Sequence, residues 1–168
     1  MKSANIREIK KELKELPSDR VMELCLRLCR FKKENKELLT YLLFEAHDEE
    51  GYVESVKEEI DGRFAEVNLK SPYFVRKSFR SILTMTRKYI RYSGNKETEV
   101  EILLHYCQRL KEFKPDIRRN KRQLNIFLKL TEQIEKKISV LHEDLQFDYL
   151  RDLDNISFSN SPQREPGE

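Results

Sequence analysis

Ser71–Gly94 reads SPYFVRKSFRSILTMTRKYIRYSG, and its punctuation decides the class of the fold. Serine at the position before a helix can accept a hydrogen bond from a backbone N–H of the first turn, and proline fits the first helical position because its missing N–H would have no partner there. Glycine supplies the left-handed residue on which a helix commonly ends. Between Pro72 and Ser93 no breaker occurs, and Phe74, Val75, Ile82, Met85 and Tyr89 recur on one side at helical spacing. The spacing predicts a helix over about 72–93.

The same reading extends in both directions. Ile6, Ile9, Leu13 and Leu16 mark a short first helix stopped by Pro17, and Val21, Leu24, Cys25, Leu28 and Phe31 mark a second. A polar break at Lys32–Lys36, containing no Gly or Pro, leads to a third with Leu38, Leu39, Leu42, Leu43 and Ala46. Val53, Val56, Ile60, Phe64 and Val67 share a face of the fourth, where Gly62 suggests a bend. Val100, Leu103, Leu104, Cys107 and Leu110 define the sixth. A last long helix carries Leu124, Phe127, Thr131, Ile134, Ile138, Leu141 and Leu145, with a shorter continuation through Leu150 and Leu153. The expectation is an all-α protein of seven to eight antiparallel helices, as a bundle or a short HEAT-like αα-superhelix. One domain is expected over 1–154. The segment 155–168, NISFSNSPQREPGE, has turn formers and little to bury and is expected to be a disordered tail.

Composition agrees. Only four glycines and five prolines occur, too few for an all-β chain full of tight turns, and charged and apolar residues each make up 38%. Such a balance suits slender amphipathic helices around a thin core. Three cysteines at no disulfide-like spacing point to a reducing compartment. The charged N-terminus MKSANIREIKKELKEL lacks the apolar run of a secretory signal, and no apolar run is long enough to span a bilayer, so the expected location is the cytoplasm.

Constellations that carry chemistry are missing from the sequence. His47 and His142 stand beside acidic residues and His105 one turn after Glu101, but neither HExxH nor Glu-x-x-His occurs, so they read as surface or capping residues. Cys25 and Cys29 lie on the apolar stripe of the second helix and read as core. The glycines are too scattered for a phosphate-cradling loop, and there is no Gly-x-Ser-x-Gly elbow. The residues lean against an enzyme and imply no catalytic, cofactor or metal site.

Charge is strongly segregated. Glu45–Glu66 holds nine carboxylates against Lys57 and Arg63, whereas 70–96 holds no acid at all. At about 100° per residue, Arg76, Arg80, Arg87 and Arg91 fall within roughly 60° of one another. A second basic cluster, Lys114, Arg118, Arg119, Lys121 and Arg122, opens the last long helix. The plain expectation is that the fourth and fifth helices neutralise each other across a solvated seam. Otherwise the seven residues Arg76, Arg80, Arg87, Arg91, Arg118, Arg119 and Arg122 form a surface for an anionic partner, since the guanidinium fork suits carboxylate and phosphate. The 3.5-residue spacing over Leu124–Leu145 reads as packing within the chain or as a homodimer seam.

Two stretches, LPSDRVMELCLRLCRFKKENKELLTYLLFEAHDEEGYVESVKEEID (Leu16–Asp61) and KYIRYSGNKETEVEILLHYC (Lys88–Cys107), resemble a small bacterial family of helical proteins of unknown function. The resemblance implies a bacterial, cytoplasmic origin and no activity, cofactor or site. The sequence therefore points first to a non-catalytic interaction or scaffold protein with a protein partner. Sequence-tolerant nucleic-acid binding through the basic stripe at about 72–93 is the alternative, and no membrane is involved.

Overall fold

From Val100 to Leu110 apolar side chains occupy too many positions for one stripe, so a helix there must be covered on several sides. The computed structural model describes residues 2–158 and shows this outcome. Its described residues form eight α-helices and no strand. They are α1 (Ile6–Lys14), α2 (Ser18–Phe31), α3 (Lys33–Thr40), α4 (Glu49–Ala65), α5 (Pro72–Ser93), α6 (Lys96–Glu112), α7 (Lys121–Ile138) and α8 (Glu143–Ile156). A π-helical turn, Tyr41–Glu45, follows α3, and a 3-10 turn, Ile117–Arg119, precedes α7. No helix among the described residues is long and apolar enough to cross a membrane.

The chain divides into two compact units, Met1–His47 and Asp48–Glu168, where the sequence reading has one domain. In the first, Asn5 and Glu8 close a reciprocal capping box at the start of α1, with hydrogen bonds of 2.8 and 3.0 Å. The polar break after α2 is a true interruption: Lys32 is extended, and the Asn35 carboxamide donates to the Leu28 carbonyl at 2.9 Å. Helices α2 and α3 pack on each other. Cys25 and Cys29 are half-buried rather than core, and Leu28, Phe31, Leu43 and Phe44 are exposed.

In the second unit α6 is central: it packs against α4, α5, α7 and α8, while α4 also packs on α5 and α7 on α8. Val100, Ile102, Tyr106, Cys107 and Leu110 on α6 are all almost fully buried. Phe64, Phe79, Tyr106 and Phe113 tie α4, α5 and α6 together, with ring centroids 4.8–6.2 Å apart. Helix α5 begins and ends where the sequence expects: the Phe74 N–H donates to Ser71 Oγ at 3.4 Å, and Gly94 adopts φ 67°. Its buried face is Phe79, Ile82, Thr86 and Ile90, so of the expected apolar side only Ile82 is fully buried, while Phe74 is 41% exposed.

Helix α4 continues through Gly62 without a break, and a Cβ there would meet nothing within 4 Å. Gly62→Ala should therefore stabilise the protein by about 0.4–1 kcal/mol, through lower entropy of the unfolded chain and better helix propensity. A urea titration comparing the variant with the parent chain checks this.

The long helix read across Leu124–Leu145 is two helices. Helix α7 stops at Ile138, and α8 starts after His142, whose Nδ1 accepts from the Asp144 N–H at 3.4 Å. Of that stripe Phe127, Ile134 and Ile138 are buried at 1% exposure or less, and α7 packs within the chain against α6 and α8, while Leu124, Thr131, Leu141 and Leu145 are half-buried. Helix α8 extends through Asn155 and Ile156, the first residues of the expected tail, because Leu153 and Ile156 are both buried. Phe158 packs on Phe127 with ring centroids 4.8 Å apart. The remaining stretch of that tail, 159–168, lies outside the described residues.

Candidate functional site

Arg76, Arg80, Leu83 and Arg87 follow the intervals four, three and four, which align residues along one side of a helix. Arg122, Ile126, Lys129 and Gln133 on α7 repeat the same intervals. Because α5 and α7 both pack on α6, the two rows face one groove of about 260 Å³. Arg76, Arg80 and Arg87 form one rim, and Arg122 and Lys129 the other. The floor is apolar: Phe79, Leu83, Ile126 and Leu130, with Tyr106 of α6 beneath. The Tyr106 hydroxyl donates to the Phe79 carbonyl at 3.1 Å, and burial pushes its pKa up. The phenol is thereby a neutral strut between α6 and α5.

No carboxylate lines this groove, and none of its five cations has an ion-pair partner among the described residues. The solvated seam between α4 and α5 is not formed by these arginines. Three acids of α4 are paired within α4 or with α6: Glu54 by Lys57 at 2.6 Å, Glu59 by Arg63 at 2.9 Å, and Asp61 by His105 at 2.7 Å and Arg109 at 3.0 Å. The reason is rotational. The arginine row lies about 100° round α5 from its buried face, so packing α4 against α5 does not bring these arginines to the acids of α4.

The seven arginines separate into distinct environments. Arg76, Arg80, Arg87 and Arg122 line the groove, and Arg91 continues the α5 row one turn beyond it. Arg118 is neutralised by Asp116, donating to Oδ2 from Nε at 2.8 Å and from Nη2 at 2.6 Å. These bonds, followed by one from the Arg118 N–H, hold the Asp116 carboxyl below its ordinary pKa. Arg119 lines a neighbouring cavity of about 320 Å³, which shares Arg76, Phe79 and Gln123 with the groove. Ile126 and Lys129 have their signal in the repeated intervals on α7, whereas Gln123 stands outside that row.

Comparison of the chain with protein-family models, curated proteins and solved structures finds no match.

A larger cavity, about 490 Å³, lies on the other side of α6, lined by residues of α4, α6 and α8 that include Lys57, Glu101, His105 and Tyr149. Part of its charge is engaged: Lys57 bridges Glu54 and Glu101, and the Tyr149 hydroxyl donates to Glu97 at 3.1 Å. His105 is held by Asp61, whereas His142 caps α8. Burial pushes the Cys107 thiol up to about 12, leaving it protonated and unreactive at neutral pH. The α5–α7 groove gathers five cations with no carboxylate in its lining, and that groove is the candidate site.

Proposed function

We propose that this is a non-catalytic interaction protein of the cytoplasm, whose α5–α7 groove holds an acidic segment of a protein partner. The observation that carries the reading is the combination of cationic rims, apolar floor and absent lining carboxylates. An acidic amphipathic segment matches both parts, with carboxylates on the arginine forks and apolar side chains over Leu83 and Ile126. From Arg76 to Arg87 the rim extends about 16 Å, room for three turns of a partner helix. The three free thiols Cys25, Cys29 and Cys107 support a reducing compartment.

Nucleic acid fits the rims but not the floor. Single-strand binders usually stack bases on accessible aromatic rings, and the aromatic residues here, Phe79 and Tyr106, are 2% and 1% exposed. Tyr73 is accessible, but it does not line the groove.

Fluorescence anisotropy compares the two partners directly. A labelled acidic amphipathic peptide, with glutamates flanking leucines at helical spacing, should bind in low salt and weaken as salt rises. Labelled single- and double-stranded oligonucleotides should bind more weakly than the peptide. If they bind more tightly, with log–log salt slopes of about −2.8 and −3.6 as expected for four neutralised phosphates, the partner is nucleic acid and the reading fails.

A further inference from the structure

At the end of the groove lies the 320 Å³ cavity, set between the first turn of α5 and the start of α7. Both helices present their N-terminal ends to it, through Ser71 and Pro72 on one side and Asn120 on the other. Each end carries a partial positive charge. Arg76 and Arg119 add full charges, and neither has an ion-pair partner among the described residues. Leu69, Val75, Phe79 and Ile117 make its walls apolar.

Gln123 points independently to a ligand. The residue is 4% exposed, yet its carboxamide has no hydrogen-bond partner among the described residues. The amide is not sealed from solvent, so its hydrogen-bonding atoms stay open to whatever fills the adjoining cavity. Gln123 lines both the groove and the cavity, so a molecule occupying the cavity would meet its donor. Asp116 also lines the cavity, but both its oxygens are held by Arg118. With that carboxylate in the wall, the site suits one added negative charge better than two.

We propose that this cavity is a binding site for a carboxylate carried on an apolar stem, received by Arg76, Arg119 and the Gln123 carboxamide. Two sources present that chemistry: a small free acid, and the C-terminal residue of a peptide lying in the groove. The second rests on the groove reading above; the first does not.

NMR titration of the ¹⁵N-labelled full chain tests it with three probes, hexanoate, N-acetyl-leucine and N-acetyl-leucinamide. Both acids should shift the Gln123 side-chain amide resonances, and the leucinamide should bind at least about tenfold more weakly, as loss of charge-assisted hydrogen bonds implies. Gln123→Leu should weaken the acids by about tenfold or more while melting no lower than the parent chain, because the replaced amide has no partner to lose. Arg119→Ala, at an exposed position, gives the same loss without touching the core. N-acetyl-leucine binding more tightly than hexanoate assigns the site to a chain end, and the reverse assigns it to a free acid. Equal binding of acid and amide, absence of shifts at Gln123, or unchanged affinity in both variants overturns the proposal. Arg80 and Arg87 line the groove but not the cavity, so reversing their charge should leave hexanoate binding intact. Failure of the groove and failure of the cavity are thus read separately.

Discussion

Replacing Arg80 and Arg87 together with glutamate should reduce binding of an acidic amphipathic peptide by at least about a hundredfold. Each arginine forms one rim position of the groove and has no competing carboxylate among the described residues. A charge-assisted hydrogen bond contributes about 1.5–3 kcal/mol, so losing two amounts to a factor of a hundred or more. Reversal adds repulsion to that loss. The fold should be unaffected, because both side chains are exposed and glutamate has nearly the helix propensity of arginine. Anisotropy with the labelled peptide measures the affinity, and circular dichroism confirms that helix content is unchanged. Retained affinity in the folded double variant would place the binding surface elsewhere.

Phe127→Ala should be the most damaging single truncation, costing about 3–5 kcal/mol through lost burial and the cavity left behind. Phe127 is 0% exposed on the face of α7 turned to the core, and its ring packs on Phe158. Domains of this size are commonly stable by about 5–15 kcal/mol, so one change removes a large share. Phe147→Ala is the matched control: its ring is 72% exposed, and the change should stay within about 0.5 kcal/mol. Denaturant unfolding of the three chains gives the comparison. Equal midpoints for the two variants would contradict the placement of α7 in the core.

The difference between these residues shows what a sequence can carry. Ser71, Pro72 and Gly94 each act locally, through one cap, one fixed φ and one left-handed residue, so α5 was legible without knowledge of its neighbours. The arginine row was legible for the same reason, since periodicity within one helix sets it. What lay opposite was not. The seam between α4 and α5 took closeness in sequence for closeness of charge, whereas Asp61 meets His105 and Arg109 on α6, more than forty residues further along. The second rim needed the packing of α7 on α6, although Arg122, Ile126, Lys129 and Gln133 repeat the intervals of the first. The stop after Ile138 was hidden because no Gly or Pro marks it, and histidine at the N-cap is an uncommon signal. Gln123 reads in sequence as one more polar helical residue; only burial between two cavities gives its amide significance.

The groove's preference for an acidic, apolar-anchored chain is tested most directly by selecting a random-peptide library on the immobilised protein and sequencing the survivors. The Arg80→Glu/Arg87→Glu chain serves as the parallel target. The parent chain should enrich peptides rich in Asp and Glu, with Leu, Ile or Phe recurring every three or four residues, and the double variant should lose that enrichment. Enrichment without acidic bias, or the same acidic peptides on both targets, would contradict the account.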